Sequence, residues 1–264
     1  MSTRRDRLFL VLAAFFIGNA LLAELIGGKL FAVPLRLPWQ PAGSEPWHTF
    51  VLSCGIILWP VVFLISDLVN EYYGRAGVKR ISFIAAGVIA YAFLALFVAE
   101  KPAAVDFSPV DNQSFRTVFI QSQWIIVGSI AAFLLAQLID VTVFWIVRRR
   151  TGSRFLWLRA TGSTVVSQLV DTLVVQFIGL HLPYILGRGG ISFEQFVNSA
   201  TSGYLFKLAV AIAITPLLYV VHGIIDAYLG KDAGAIVEEV ARREEAGDGR
   251  EERGRGAGDS GLGT

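Results

Sequence analysis

Long apolar runs separated by short polar loops dominate this chain. Stretches near 8–30, 49–70, 79–99, 118–147, 161–183 and 200–226 are each long enough to cross about 30 Å of hydrocarbon, which takes roughly 20 helical residues. Each run is apolar around most of its circumference and is punctuated by Gly, Ser and Thr, which let helices approach closely in lipid. Strands are not indicated. The fourth run is overlong, so it is expected to tilt or to begin as an interfacial helix, and Thr215-Pro216 predicts a kink in the last one. The start, a basic Met1–Arg7 followed by apolar Leu8–Ile17, has the outline of a signal peptide. Its apolar stretch continues past the poor cleavage site at Ala20–Ala23, so it is read as a retained helix. The pattern therefore predicts an all-α membrane protein with about six transmembrane helices in one domain, residues 1–230.

Loop charge sets the expected orientation. Arg4, Arg5 and Arg7 precede the first run, Arg75, Lys79 and Arg80 join the second and third, and Arg148, Arg149, Arg150, Arg154 and Arg159 join the fourth and fifth. The opposite loops carry few basic residues, so both termini are expected in the cytoplasm. From Lys231 the chain alternates Glu and Arg and then turns Gly-rich, which predicts a disordered cytoplasmic tail over 231–264. With 54% hydrophobic residues, 17% charged residues and a formal net charge of only +2, nucleic-acid binding has little support. The single cysteine, Cys54, excludes an internal disulfide. His48, His181 and His222 fall in no metal-ligand motif, so no metal or cofactor is expected.

Ionisable groups at bilayer depth cost on the order of 2.5 to 3.5 kcal/mol each unless paired, hydrated or used, so they mark candidate function. They are Glu24 and Lys29, with Asn19, on the first run; Asp67 and Glu71, with Asn70, on the second; Asp140 on the fourth; Asp171 on the fifth; and Lys207 on the sixth. Asp67, Asn70, Glu71 and Gly74 make one stripe, suited to gating or proton coupling; the bland alternative pairs Glu71 with Lys79 or Arg80. Gln137-Leu138-Ile139-Asp140 is echoed by Gln168-Leu169-Val170-Asp171, each placing an amide and a carboxylate on one helix face. Such a pair can read a planar donor–acceptor edge like that of guanine; the bland alternative is a hydrogen bond between the two helices. Lys207 is expected to face a cavity or to pair with Asp171. Trp59 and Phe63, one turn apart and followed by Asp67, are candidates for a stacking wall.

The segment Ile65-Ser66-Asp67-Leu68-Val69-Asn70-Glu71-Tyr72-Tyr73-Gly74, with Lys79-Arg80, resembles the signature of the queuosine precursor transporter family, which is vitamin-uptake-like. The stretch Trp157–Thr172 does so too, joined by Asn19, by Ala136-Gln137-Leu138-Ile139-Asp140-Val141 and by Lys207 before Pro216. The resemblance implies a bacterial inner-membrane importer of 7-cyano-7-deazaguanine or 7-aminomethyl-7-deazaguanine for tRNA queuosine salvage. It also implies a fold like the six-helix substrate-binding components of energy-coupling-factor transporters. Asn19, Asp67, Glu71, Gln137, Asp140, Gln168, Asp171 and Lys207 match the family pattern by position. Gln123-Trp124 stands where many members have Pro-Arg, and the charged tail is extra. The expected partners are a deazapurine solute and the bilayer, with a homo-oligomer or an ATPase partner left open. A vitamin-binding subunit of an ATP-driven system is the alternative, and with no Walker A pattern here its ATPase would lie in another chain. An intramembrane enzyme is less favoured, because neither H-E-x-x-H nor G-x-S-x-G occurs.

Overall fold

The computed structural model describes residues 3–27, 29–36, 39–40, 43–46, 48–120, 123–151, 156–187, 190–244 and 246. Helix α1 (Arg4–Ile26) starts at a capping box, in which Thr3 Oγ1 accepts from the Asp6 amide and the Asp6 carboxylate accepts from the Thr3 amide. It stops before Lys29, which the apolar pattern had placed on this helix. Instead of running straight into the next helix, the chain forms an antiparallel hairpin of β1 (Leu30–Leu35) and β2 (His48–Ser53). Runs of Val, Phe and Leu broken by Pro34 and Thr49 suit a short pleated pair, and each strand is too short for the period-2 signal to stand out. The base of the hairpin lies tight against α1: a Cβ at Gly55 would sit 2.5 Å from the Ala23 carbonyl oxygen, so only glycine fits.

Helix α2 (Trp59–Ala99) is two arms rather than one rod. Gly74 has φ +72 and ψ −172, open to glycine but hostile to other residues. Residues eight apart in a helix are separated by about 12 Å along the axis. A Cβ at Gly77 would nevertheless lie 3.3 Å from Val69 Cγ1 and 2.7 Å from Tyr73 Cβ. The chain therefore folds back at Gly74, and the arms 59–73 and 75–99 pack with α1 in one core that includes Phe16, Val62, Ile65, Val69, Ile81 and Ile89. These arms are the second and third of the expected spans.

A short helix α3 (Asn112–Phe119), capped by Asp111, precedes α4 (Gln123–Thr151), which resolves the overlong fourth run into two helices. Helix α5 (Leu156–Gln176) ends in a wide turn (Phe177–His181) and the one-turn α6 (Leu182–Ile185). Helix α7 (Phe193–Leu229) has its own capping box, Ser192 with Gln195, and stays helical through Pro216. Long apolar helices, one folded in two, thus make up the expected membrane architecture.

Beyond Gly230 the chain differs from the expected disordered tail. Residues 233–244 form a helix, α8, and residues 245 and 247–264 of that segment lie outside the described ones. Ala233, Ile236, Val237 and Val240 stand at i, i+3, i+4 and i+7, a narrow apolar stripe that seats α8 on the bundle. Two of its acidic residues reach basic partners there: Glu244 with Arg75 at 3.2 Å and Glu239 with Arg5 at 3.6 Å. Composition registered the charge and missed the stripe. The start of α1, the Gly74 turn, the end of α4 and α8 therefore meet at one end of the molecule.

Candidate functional site

The buried polar residues of this bundle are largely committed to one another. Ser66 Oγ donates to Gln137 Oε1 at 3.0 Å, and Ser167 Oγ donates to Asp140 Oδ1 at 3.1 Å. The Gln137 and Asp140 side chains expected to assist a ligand thus hold α4 to α2 and α5. Ser129 Oγ donates to Glu24 Oε2 at 2.5 Å, joining α4 to α1. Asn19 donates to the Phe15 carbonyl of its own helix at 2.8 Å.

In the stripe expected to gate, Glu71 pairs with Arg148 rather than with Lys79 or Arg80. Arg148 Nη1 lies 3.0 Å from Glu71 Oε2, with both side chains about 5% exposed or less, and Arg148 Nη2 donates to the Val237 carbonyl at 3.1 Å. Its planar fork serves both acceptors at once. Asn70 Oδ1 accepts from Trp145 Nε1 at 2.8 Å, and Trp145 is a core residue. Arg148 and Trp145 escaped sequence reasoning, although Phe133, Gln137, Val141, Phe144, Trp145 and Arg148 form one buried face of α4, a periodicity that singles out the first arginine of the Arg148-Arg149-Arg150 run.

A groove lies between the first arm of α2 and the middle of α7. One wall carries Trp59, Phe63 and Asp67 at i, i+4 and i+8; the other carries Lys207, Ala211, Thr215 and Leu218. Trp59 and Phe63 stack, with centroids 5.7 Å apart and planes 20° from parallel. Of the expected residues Trp59, Phe63, Asp67 and Lys207 line the groove, and Asp67 stands in its wall rather than at a remote gate. Asp171 reaches the groove through Lys207: Nζ lies 2.6 Å from Oδ2, an ion pair between α5 and α7. Glu24 lies close enough to feel both charges.

Gln168 shares a helix face with Asp171 and Thr172. Both of its amide heavy atoms, together with Thr172 Oγ1, are buried without a hydrogen-bond partner among the described residues. Each such group costs about 1–3 kcal/mol in a closed interior. Among the described residues no cluster of His, Cys, Asp and Glu suits a metal ion.

A lipid-embedded helical bundle with an amphipathic groove and charged side chains facing it from two helices has the build of a solute transporter. The family described as "Putative vitamin uptake transporter" matches residues 53–221, and the chain belongs to that family. Its relatives include the "Probable queuosine precursor transporter" of Bacillus subtilis (strain 168), 30% identical over 182 residues that cover 63% of this chain and 70% of that protein. The "Probable queuosine precursor transporter" of Haemophilus influenzae (strain ATCC 51907 / DSM 11121 / KW20 / Rd) is 25% identical, covering 70% and 73%. The "Queuosine precursor transporter" of Escherichia coli (strain K12) is 27% identical, covering 68% and 75%. No solved structure matches the chain. The protein is a membrane transporter and not an enzyme.

Proposed function

We propose that this transporter imports a 7-deazaguanine precursor of queuosine, 7-cyano-7-deazaguanine or 7-aminomethyl-7-deazaguanine, across the bacterial inner membrane with both termini in the cytoplasm. The observation that carries the reading is the groove, in which a stacked aromatic wall meets charged side chains from two helices. Aromatic faces hold a planar base by stacking, worth about 1–3 kcal/mol per base. The Asp67 carboxylate accepts from ring and exocyclic N–H groups, and the Lys207 ammonium donates to a carbonyl oxygen. The names of the three relatives support the substrate class, and the basic residues gathered at the α1, Gly74 and α4 end support the orientation. Asp67, in the groove wall, is the carboxylate placed to couple protons to uptake.

The test is a bacterium unable to make queuosine precursors and lacking its own importer, scored for queuosine in tRNA at limiting external deazapurine. Restoration by this protein supports the reading; no restoration despite confirmed membrane expression overturns it. The family description favours one further reading, a vitamin-binding subunit served by a separate ATPase. Copurification with ATPase subunits, together with vitamin uptake in place of deazapurine uptake, distinguishes it.

A further inference from the structure

Four unsatisfied polar atoms share one face of α5. Gln168 Oε1 and Nε2, Thr172 Oγ1 and Gln176 Oε1 have no hydrogen-bond partner among the described residues. Residues 168, 172 and 176 follow at i, i+4 and i+8, so they form a ladder about 12 Å long. Gln168 is 2% exposed and Thr172 3%. The ladder faces α7: a Cβ at Gly203 would stand 3.6 Å from Gln176 Nε2 and 3.9 Å from Thr172 Cγ2. One turn further along α7, Lys207 reaches across to Asp171. The seam between α5 and α7 thus has a row of donors and acceptors on one side, with Gly203 bare opposite Thr172 and Gln176, and it is crossed by the Lys207–Asp171 ion pair and by the Tyr204 hydroxyl, which donates to the Val165 carbonyl at 3.1 Å.

The other polar seams are closed differently. Between α2 and α4, and between α4 and α5, side chains bond to each other, as Ser66 does with Gln137 and Ser167 with Asp140. Lipid offers no partner to an orphaned amide, so a row of them inside a membrane protein marks an interface whose hydrogen bonds are made in another arrangement. We propose that the α5–α7 seam is the solute path, opened when Asp171 parts from Lys207, and that Gln168, Thr172 and Gln176 donate to and accept from a base-like solute moving along it. The substrate class rests on the reading of the groove above; the location of the path does not. Each glutamine presents a donor and an acceptor in one plane, and the threonine hydroxyl serves as either, which matches the adjacent N–H and C=O of a lactam edge. Gly203 leaves the facing wall without a side chain, so a flat ring can pass.

The experiment uses the full chain with its one cysteine removed, Cys54→Ser, carrying Thr172→Cys and Gly203→Cys together. Bridging the two thiols with a short reducible cross-linker is expected to cut deazapurine uptake at least tenfold relative to the same variant before treatment, with recovery on reduction. Undiminished uptake by fully cross-linked protein overturns the proposal. In parallel, Gln168→Cys, Thr172→Cys and Gln176→Cys are exposed to a small water-soluble thiol reagent in membranes. Labelling at all three is expected, slowed by 7-cyano-7-deazaguanine; if Gln168→Cys and Thr172→Cys stay unreactive, the seam does not open. Should the Cys54→Ser parent import no deazapurine, the substrate reading fails, and labelling alone decides whether the path lies here.

Discussion

Lys207 is where the site's electrostatics converge, since it lines the groove and holds Asp171 at 2.6 Å. Breaking one side of a largely buried pair leaves an uncompensated charge, which costs about 3–5 kcal/mol, whereas replacing both is close to neutral. Asp171→Asn or Lys207→Met alone should therefore lower the melting temperature of the detergent-solubilised protein, and the double variant should regain it while remaining unable to import. A double variant that transports normally would mean that the pair is only structural. Trp59 makes a separate prediction: Trp59→Ala should weaken deazapurine binding about 10-fold or more through lost stacking, while Trp59→Phe keeps most of it, as read by equilibrium binding to purified protein. At this scale the sequence was informative wherever cost alone marks a residue, as with the Asp171–Lys207 pair. It was uninformative about which partner each polar group takes: Asp140 is satisfied by Ser167, and nothing in the spacing of Gln137 and Asp140 distinguishes a ligand from a serine on the next helix.

The Gly74 turn shows how elements are held in place. The first arm of α2 ends on Arg5, which donates to the Tyr72 carbonyl at 3.0 Å, and the second arm begins with the Arg75 amide donating to Glu244 Oε1 at 3.0 Å. A cation thus caps one helix C-terminus, and a carboxylate borrowed from α8 caps the next N-terminus. Gly74→Ala should destabilise by about 1–3 kcal/mol from its positive φ alone, and its Cβ would also meet Glu244 Oε1 at 2.5 Å. Truncation after residue 232 should relieve the second penalty and not the first, which thermal unfolding of the two variants, alone and combined, separates. Arg148→Ala should cost about 3–5 kcal/mol because Glu71 stays buried without its cation, and Arg148→Lys should recover only part, lacking the second donor arm toward Val237. Hydropathy made the spans legible because lipid leaves a helix little choice of composition. It did not reveal α8 or the hairpin, because each is ordered by contacts with the bundle rather than by its own sequence.

For the whole molecule, the proposed orientation places α8 and the Gly74 turn inside the cell. Reporter fusions after Arg75 and after residue 246 should report the cytoplasm, and one after Ser108 the opposite side; a reversed pattern would turn the proposed importer's path around. Uptake that proceeds equally well at all pH values and without a proton gradient would remove proton coupling while leaving the groove intact. The arm that forms one groove wall, 59–73, has only 15 residues, about 22 Å of helix, against roughly 30 Å of hydrocarbon. The hairpin, whose Phe50 ring centroid lies 6.1 Å from that of Phe206, and Arg5 at the far end of the arm flank it. Polar backbone edges and guanidinium groups at both ends of so short an arm would draw headgroups and water inward, and thin the insulating layer beside the groove. A solute stripped of its hydration there would have less distance to travel dry than beside a full-length span, so that the fold would lower the crossing barrier by geometry before any side chain touches the cargo.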